Sequence, residues 1–248
     1  MELQEEDKEI IFSGQWLTDK HISAINRLLL KEYPEQNGLQ NTVALFEGLP
    51  WKSKADNFIQ IINVSRSHWV CASNIGCPKN VVNVYDSIPA YSISSPSLKR
   101  QLAAILHTQA RSFDVNFINV QWQNGSNDCS LFAIANTVSL CLGNDPHMLQ
   151  YDQTQMRNHH YHCLERCSIT PFPVKVIPPR ANRQRVSTTL TVTVYCTCRQ
   201  PYNADKDHMI QCHACSEWFH NTCFPNVPSE FWTTNKTWIC IECTKLIT

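Results

Sequence analysis

Four close pairs of metal-type ligands fall between residues 196 and 243: Cys196 and Cys198, then Cys212 and Cys215, then His220 and Cys223, then Cys240 and Cys243. No other feature restricts the possible folds so sharply. Zinc takes four soft or borderline ligands tetrahedrally, and a close pair lets one turn supply two of them at small loop-closure cost. Eight ligands therefore make two closed structural sites. A segment this short cannot rely on an apolar core alone, and zinc contributes roughly 10 to 16 kcal/mol of apparent free energy to such folds. Taken singly, each cysteine reads as a small buried hydrophobe. Seven cysteines and a histidine at pair spacing do not.

The ligand order, four cysteines, one histidine, three cysteines, resembles the PHD finger over residues 194 to 245; the commonest RING order places the histidine one ligand earlier. The resemblance implies a cross-brace, with Cys196, Cys198, His220 and Cys223 on one zinc and Cys212, Cys215, Cys240 and Cys243 on the other. Trp238 matches the family's core aromatic. Many such fingers read the N-terminal tail of histone H3, and those that take trimethyl-lysine surround the cation with aromatic faces. The matching positions here are Tyr195, Tyr202, Met209 and Trp218. His213 stands where such readers often carry an acidic residue that contacts the tail's arginine, leaving Asp205, Asp207 or Glu217 as substitutes.

Seven of the thirteen cysteines belong to this segment, and that asymmetry marks a boundary. Charge marks it too. Residues 1–165 carry 12 Lys/Arg against 16 Asp/Glu, residues 166–193 carry five basic residues and no acidic one, and residues 194–248 carry four against five. The stretch "PFPVKVIPPRANRQR" has four prolines and no stable period, so residues 166–193 read as an extended linker between a first domain, 1–165, and the finger. Its positives suit solvation, nuclear targeting or a weak phosphate contact. A net charge of zero argues against a general or sequence-specific nucleic-acid binder. The acidic opening "MELQEEDKEIIF" lacks signal-peptide order, and no apolar run reaches about 18 residues, so an intracellular protein with no membrane partner is expected.

Within the first domain, "TDKHISAINRLLLKEY" has helical apolar spacing with Thr18 as cap, and "SPSLKRQLAAILHTQARS" reads as a second helix capped by Ser95 or Ser97. Strand-like runs occupy 58–64, 68–75 and 81–87, "FDVNFINVQW" alternates like a fourth strand, and a last helix is expected in "YDQTQMRNHHYHCLE". The order is that of an α+β domain.

"QWQNGSNDCSLFAIANTVSLCLG" places Cys129 after a polar loop, where an apolar helix begins. A helix N-terminus beside a histidine lowers a thiol from about 8.5 into the range of roughly 3.5 to 7.5. A hairpin centred on Gly76, Cys77 and Pro78 puts His68 opposite Asp86, which supplies a base and its orienting acid. Gln123, six residues before Cys129, offers an amide to an oxyanion alongside the Cys129 backbone N–H. Singly, these read as ordinary strand or helix residues; in this order they read as catalytic. Cys71, Cys77 and Cys141 look structural. His159, His160, His162, Cys163 and Cys167 scatter over several helix faces and do not read as a metal site.

The segments "SHWV", "VNVYDS" and "QNGSNDCSLFAIANT" together resemble the Ulp/SENP cysteine proteases, which have a papain-like fold, over roughly residues 10 to 165. The resemblance implies His68 as general base, Asp86 as its orienter, Gln123 in the oxyanion hole and Cys129 as nucleophile. It also implies Trp69 as a wall of the narrow channel for a substrate's Gly-Gly end, with Trp16 and Asp19, in "QWLTD", as substrate-facing residues. Ser130 replaces the family's usual glycine. The expectation is a nuclear cysteine peptidase or isopeptidase acting at the C-terminus of a ubiquitin-like, SUMO-like protein or its conjugates, with a two-zinc finger reading methylated H3 and no catalytic cofactor. The alternatives are a non-enzymatic chromatin reader whose first domain binds a ubiquitin-like partner, and a mobile-element-derived processing protease.

Overall fold

The computed structural model describes residues 4–48, 51, 57–176, 184–233 and 237–247. Five strands form one mixed sheet in the order β1 (Ile59–Val64), β2 (His68–Ser73), β3 (Val81–Tyr85), β4 (Ser112–Ile118) and β5 (Val186–Thr193). All neighbours are antiparallel except β3 and β4, which run parallel. A parallel pair needs a crossover, and here it contains the helix Pro96–Leu106. Ser95 caps that helix, its Oγ accepting from the Leu98 N–H at 3.3 Å.

In chain order the helices are α1 (Glu5–Phe12), α2 (Asp19–Glu32), α3 (Thr42–Phe46), α4 (Pro96–Leu106), α5 (Cys129–Cys141), α6 (Gln153–Arg166), α7 (Ser229–Thr233) and α8 (Ile241–Ile247). Thr18 stands at the N-cap of α2. α5 is buried all round from Cys129 to Ser139, as expected of a helix whose sequence has no polar face. One core joins α5 to α2 and α6 through Leu131, Phe132, Ile134, Ile22, Ile25 and Met156. A second core, on the other face of the sheet, joins Val70, Val82, Val84 and Val115 to Leu98 and Leu102 of α4. Each such side chain, once fully buried, contributes roughly 1.5–3 kcal/mol.

Three features differ from the sequence reading. Residues 186–193, assigned to a linker, form β5 against β4, and Val192 and Val194 belong to the core under α4. The run "VSTTLTVT" is rich in β-branched residues, a strand signal that the neighbouring prolines obscure. Ile169 and Phe172, also in that stretch, are buried against the α5 core. Arg180 and Arg183 lie outside the described residues, whereas Arg185 pairs with Asp145 at 2.9 Å.

The acidic opening contains a helix, α1, which the sequence pattern does not announce. The β2–β3 register is shifted as well: Cys71 faces Tyr85 and Ala72 faces Val84, two residues from the expected pairing. Two successive turns, closed by Cys77 N–H to Asn74 O and Val81 N–H to Pro78 O, set the hairpin. A shift of one residue exchanges the faces of a strand, but a shift of two restores them. His68 and Asp86 are thus diagonal neighbours and still share a side of the sheet.

The C-terminal segment folds around a two-stranded ladder, β6 (Met209–Gln211) with β7 (Trp218–His220). Its small core joins Ile210, Phe219 and Trp238 to the cysteines, with Phe219 and Trp238 edge to face at 5.2 Å. Among the described residues no helix is long and apolar enough to cross a membrane.

Candidate active site and metal centres

His68 opens β2, Asp86 follows the last residue of β3, and Cys129 is the first residue of α5, so three element ends converge. His68 Nε2 lies 2.6 Å from Asp86 Oδ1. With Nε2 committed there, Nδ1 remains for the Cys129 thiol. Burial disfavours the imidazolium, but hydrogen bonds to Asp86 and Cys129 outweigh it and hold His68 at about 9, well above its ordinary 6.5. His68 is thereby kept protonated beside the sulfur through neutral pH, and the N-terminus of α5 adds its positive end. Burial instead pushes Cys71 and Cys141 up to about 12 and raises Cys77, which leaves those thiols inert.

Asp86 is fixed by more than His68. Its Oδ1 also accepts from the Ile88 N–H at 2.7 Å, and the Ser92 hydroxyl donates to Oδ2. Gln123 has its Oε1 accepting from Ser87 Oγ at 2.7 Å and its Nε2 donating to Gly125 O at 3.0 Å. One amide hydrogen of Gln123 remains for a ligand. Ser130 is buried, and its Oγ has no hydrogen-bond partner.

Asp128, directly before Cys129, brings a carboxylate to the start of α5. Arg157 of α6 offsets it, with Nε and Nη2 at 3.0 and 2.6 Å from Asp128 Oδ1, while Gln153 Nε2 donates to Oδ2 at 2.6 Å. Arg157 also donates to the carbonyls of Ile11 and Gln15, tying the chain around α1 to the loop that presents Cys129. Sequence reasoning finds neither Arg157 nor Ser92. Their partners are distant or carry no local pattern.

Trp16 Nε1 donates to Asn127 Oδ1 at 2.8 Å, which puts its exposed ring beside the loop that leads into Cys129. Asp19 and Trp69 line one cavity of about 140 Å³ together with Val43, Phe46 and Arg66. Of the histidines and cysteines of α6, only His159 and Cys163 meet, at 3.4 Å. Among the described residues the two groups of three or more metal-type ligands both lie in the C-terminal segment.

Those groups are Cys196, Cys198, His220 and Cys223, and Cys212, Cys215, Cys240 and Cys243, the cross-brace pairing. Within each, all ligand atoms lie within 4.8 Å of one another. Cys215 and Cys240 sulfurs are 4.0 Å apart, and Cys198 Sγ is 3.3 Å from His220 Nδ1. Zinc–thiolate bonds of about 2.3 Å in a tetrahedron require sulfurs roughly 3.8 Å apart, so both sets fit the ion. Asp207 Oδ2 lies 3.6 Å from the other nitrogen of His220, which has no hydrogen-bond partner among the described residues.

Tyr195, Tyr202, Met209 and Trp218 together line a shallow cavity of about 350 Å³. Three aromatic faces and a thioether around one opening suit a quaternary ammonium. The proposed substitutes for an acidic tail contact are occupied in two cases. Asp207 accepts from Asn203 N–H at 2.7 Å, and Glu217 pairs with Arg199 at 3.5 Å and with Arg111 of the first domain at 3.2 Å.

A family model described as the UBR7-like PHD finger matches residues 192–248. The chromatin remodeling protein SHL of Arabidopsis thaliana is 62% identical over 32 residues, covering 13% of this chain and 14% of that protein. The chain thus spans a small part of the curated relative it matches. The SUMO protease Ulp1 with its catalytic cysteine oxidized to a sulfonic acid matches at a TM-score of 0.53 and 18% identity, over 66% of this chain and 84% of that one. The Ulp1 protease domain in complex with Smt3, the yeast ortholog of SUMO, matches at 0.51 and 18% identity, over 65% and 82%. The chain combines an Ulp1-type fold with a PHD finger.

Proposed function

We propose that this chain is a nuclear cysteine peptidase or isopeptidase that cleaves at the C-terminus of a ubiquitin-like protein, and that its finger reads a methylated H3 tail. The first part rests on His68 standing between Asp86 and a cysteine at the N-terminus of a buried helix.

In the reaction, the Cys129 thiolate attacks the carbonyl carbon of the ubiquitin-like protein's last residue. The resulting oxyanion accepts hydrogen bonds from the Cys129 N–H and the remaining amide hydrogen of Gln123. His68 gives its proton to the departing amine as the C–N bond breaks, leaving a thioester. Water then attacks the thioester, His68 takes its proton, and the thiolate is expelled. The Ulp1-type fold and the Asp19–Trp69 cavity support a ubiquitin-like substrate whose narrow tail passes Trp69. Zinc holds the finger together and takes no part in these steps.

For the finger, the four-residue cage carries the reading. Trp218→Ala is expected to weaken binding of a trimethylated H3 tail by about tenfold, since a cation over one ring contributes roughly 0.5 to 2 kcal/mol. The comparison is by titration with methylated and unmethylated tails; equal affinity for the two in the wild type removes the cage reading.

The first domain also contacts the chain next to two cage residues. Arg111 accepts from Val194 N–H at 2.9 Å, one residue before Tyr195, and its guanidinium pairs with Glu217, one residue before Trp218. The Arg111 side chain is 70% exposed, so this pair contributes only about 0.2 to 1 kcal/mol. Arg111→Ala is expected to lower tail affinity by up to about fivefold with zinc content unchanged; no change in affinity removes the brace.

A further inference from the structure

The six residues after Asp86, "SIPAYS", wrap the His68–Asp86 pair on two sides. Ile88 and Ser92 supply donors to the carboxylate. Between them, a single turn of 3-10 helix, Pro89–Tyr91, brings the Tyr91 ring over the imidazole, with ring centroids 5.6 Å apart and planes inclined by 34°. Tyr91 nonetheless remains 62% exposed, and among the described residues its hydroxyl has no partner. An aromatic ring held against a catalytic base, with most of its surface in water, adds little to the core. Its open face is available to whatever approaches His68.

Chemistry determines what approaches. His68 must come within hydrogen-bond reach of the departing nitrogen to protonate it. The first atoms of the chain attached to that nitrogen therefore pass beside the imidazole, against which the Tyr91 ring packs with centroids 5.6 Å apart. For a conjugate, the nitrogen is a lysine ε-amine and its substituent is an unbranched run of four methylenes. Such a stem lies flat on an aromatic face, burying apolar surface on both sides. A leaving α-amine instead carries a branched carbon and a carbonyl at once, and neither lies flat.

We propose that Tyr91 forms a leaving-group subsite that holds the aliphatic stem of the conjugated lysine, which makes this site one for deconjugation rather than precursor processing. The proposal rests on the reading of Cys129 and His68 as the catalytic pair.

The test compares full-length wild type, Tyr91→Ala and Tyr91→Phe on three substrates made from SUMO or ubiquitin, whichever reacts faster with the wild type. One is joined to a peptide lysine by an isopeptide bond, one is a linear C-terminal peptide fusion, and one ends in an alkyne electrophile with no leaving chain. Tyr91→Ala is expected to lower kcat/KM for the isopeptide about tenfold while the rate of alkyne adduct formation stays within about twofold. Tyr91→Phe should match the wild type on all three, because only the ring face is used. An equal loss on isopeptide and alkyne assigns Tyr91 to holding His68 and overturns the proposal. So does an unchanged isopeptide rate, or an equal loss on the linear fusion. If wild type forms no alkyne adduct, the catalytic reading itself fails, which is a separate result.

Discussion

Cys129→Ala is expected to leave no measurable cleavage of a ubiquitin-like conjugate, and Cys129→Ser to retain less than about one part in 10³ of the wild-type rate. The arrangement suits a thiol and not a hydroxyl. His68 holds its proton to about 9 because Asp86 and the Cys129 sulfur face it from two sides, against the opposing effect of burial. A serine hydroxyl in the same place is far too weak an acid to give up its proton to that imidazole. His68→Ala removes both the imidazolium partner and the donor to the leaving amine, so it is expected to lower the cleavage rate by about 10³-fold or more.

The same geometry sets a pH dependence. The folded-state value of His68 lies above the ordinary 6.5, so its stabilising contribution is complete below about 6.5 and is lost as pH rises through about 9. The kcat/KM profile should accordingly hold up to the region of pH 9 before falling. An alkaline limb centred near 6.5 contradicts the pairing. Asp86→Asn, which removes the charge that favours the imidazolium, should move that limb downward.

Removal of zinc should have the second large effect. The finger's apolar core is small, with Ile210 and Phe219 as its buried side chains besides three cysteines. Against the roughly 10–16 kcal/mol that structural zinc contributes in isolated fingers, such a core cannot hold the fold alone. A strong chelator, or Cys240→Ala, is therefore expected to unfold residues 196–247, observed as loss of the finger's amide dispersion. The first domain should persist, because its cores under α4 and around α5 contain no metal ligand. β5 should keep its pairing with β4, since Val192 and Val194 are seated in the α4 core. A finger that stays folded in chelator contradicts the metal assignment.

The parts legible in the sequence are those with local or periodic causes. Ligand spacing alone indicates four pairs, and helical spacing with Thr18 and Ser95 as caps locates α2 and α4. The Cys129 helix is legible because an apolar run follows a polar loop. What stays hidden depends on distant partners. α1 is predominantly polar and charged, with Ile11 buried in the α5 core and Arg157 bonded to the carbonyls of Ile10 and Ile11. β5 carries a strand composition, but the preceding prolines suggest a linker, and only pairing with β4 reveals it. The β2–β3 register depends on turn geometry that residue counting cannot resolve, although its two-residue shift leaves His68 and Asp86 on one side. Ser92 and Tyr91 carry no motif. They matter because a turn folds back over a dyad whose members are 18 residues apart in sequence.

The central claim, that Cys129 is a nucleophile for the C-terminus of a ubiquitin-like protein, is tested most directly by incubating the full chain with a panel of ubiquitin-like proteins bearing a C-terminal electrophile and measuring intact mass. The account predicts a single covalent adduct with at least one member, mapped to Cys129, absent in Cys129→Ala and strongly slowed in His68→Ala. No adduct with any member, or an adduct of equal yield in Cys129→Ala, contradicts it.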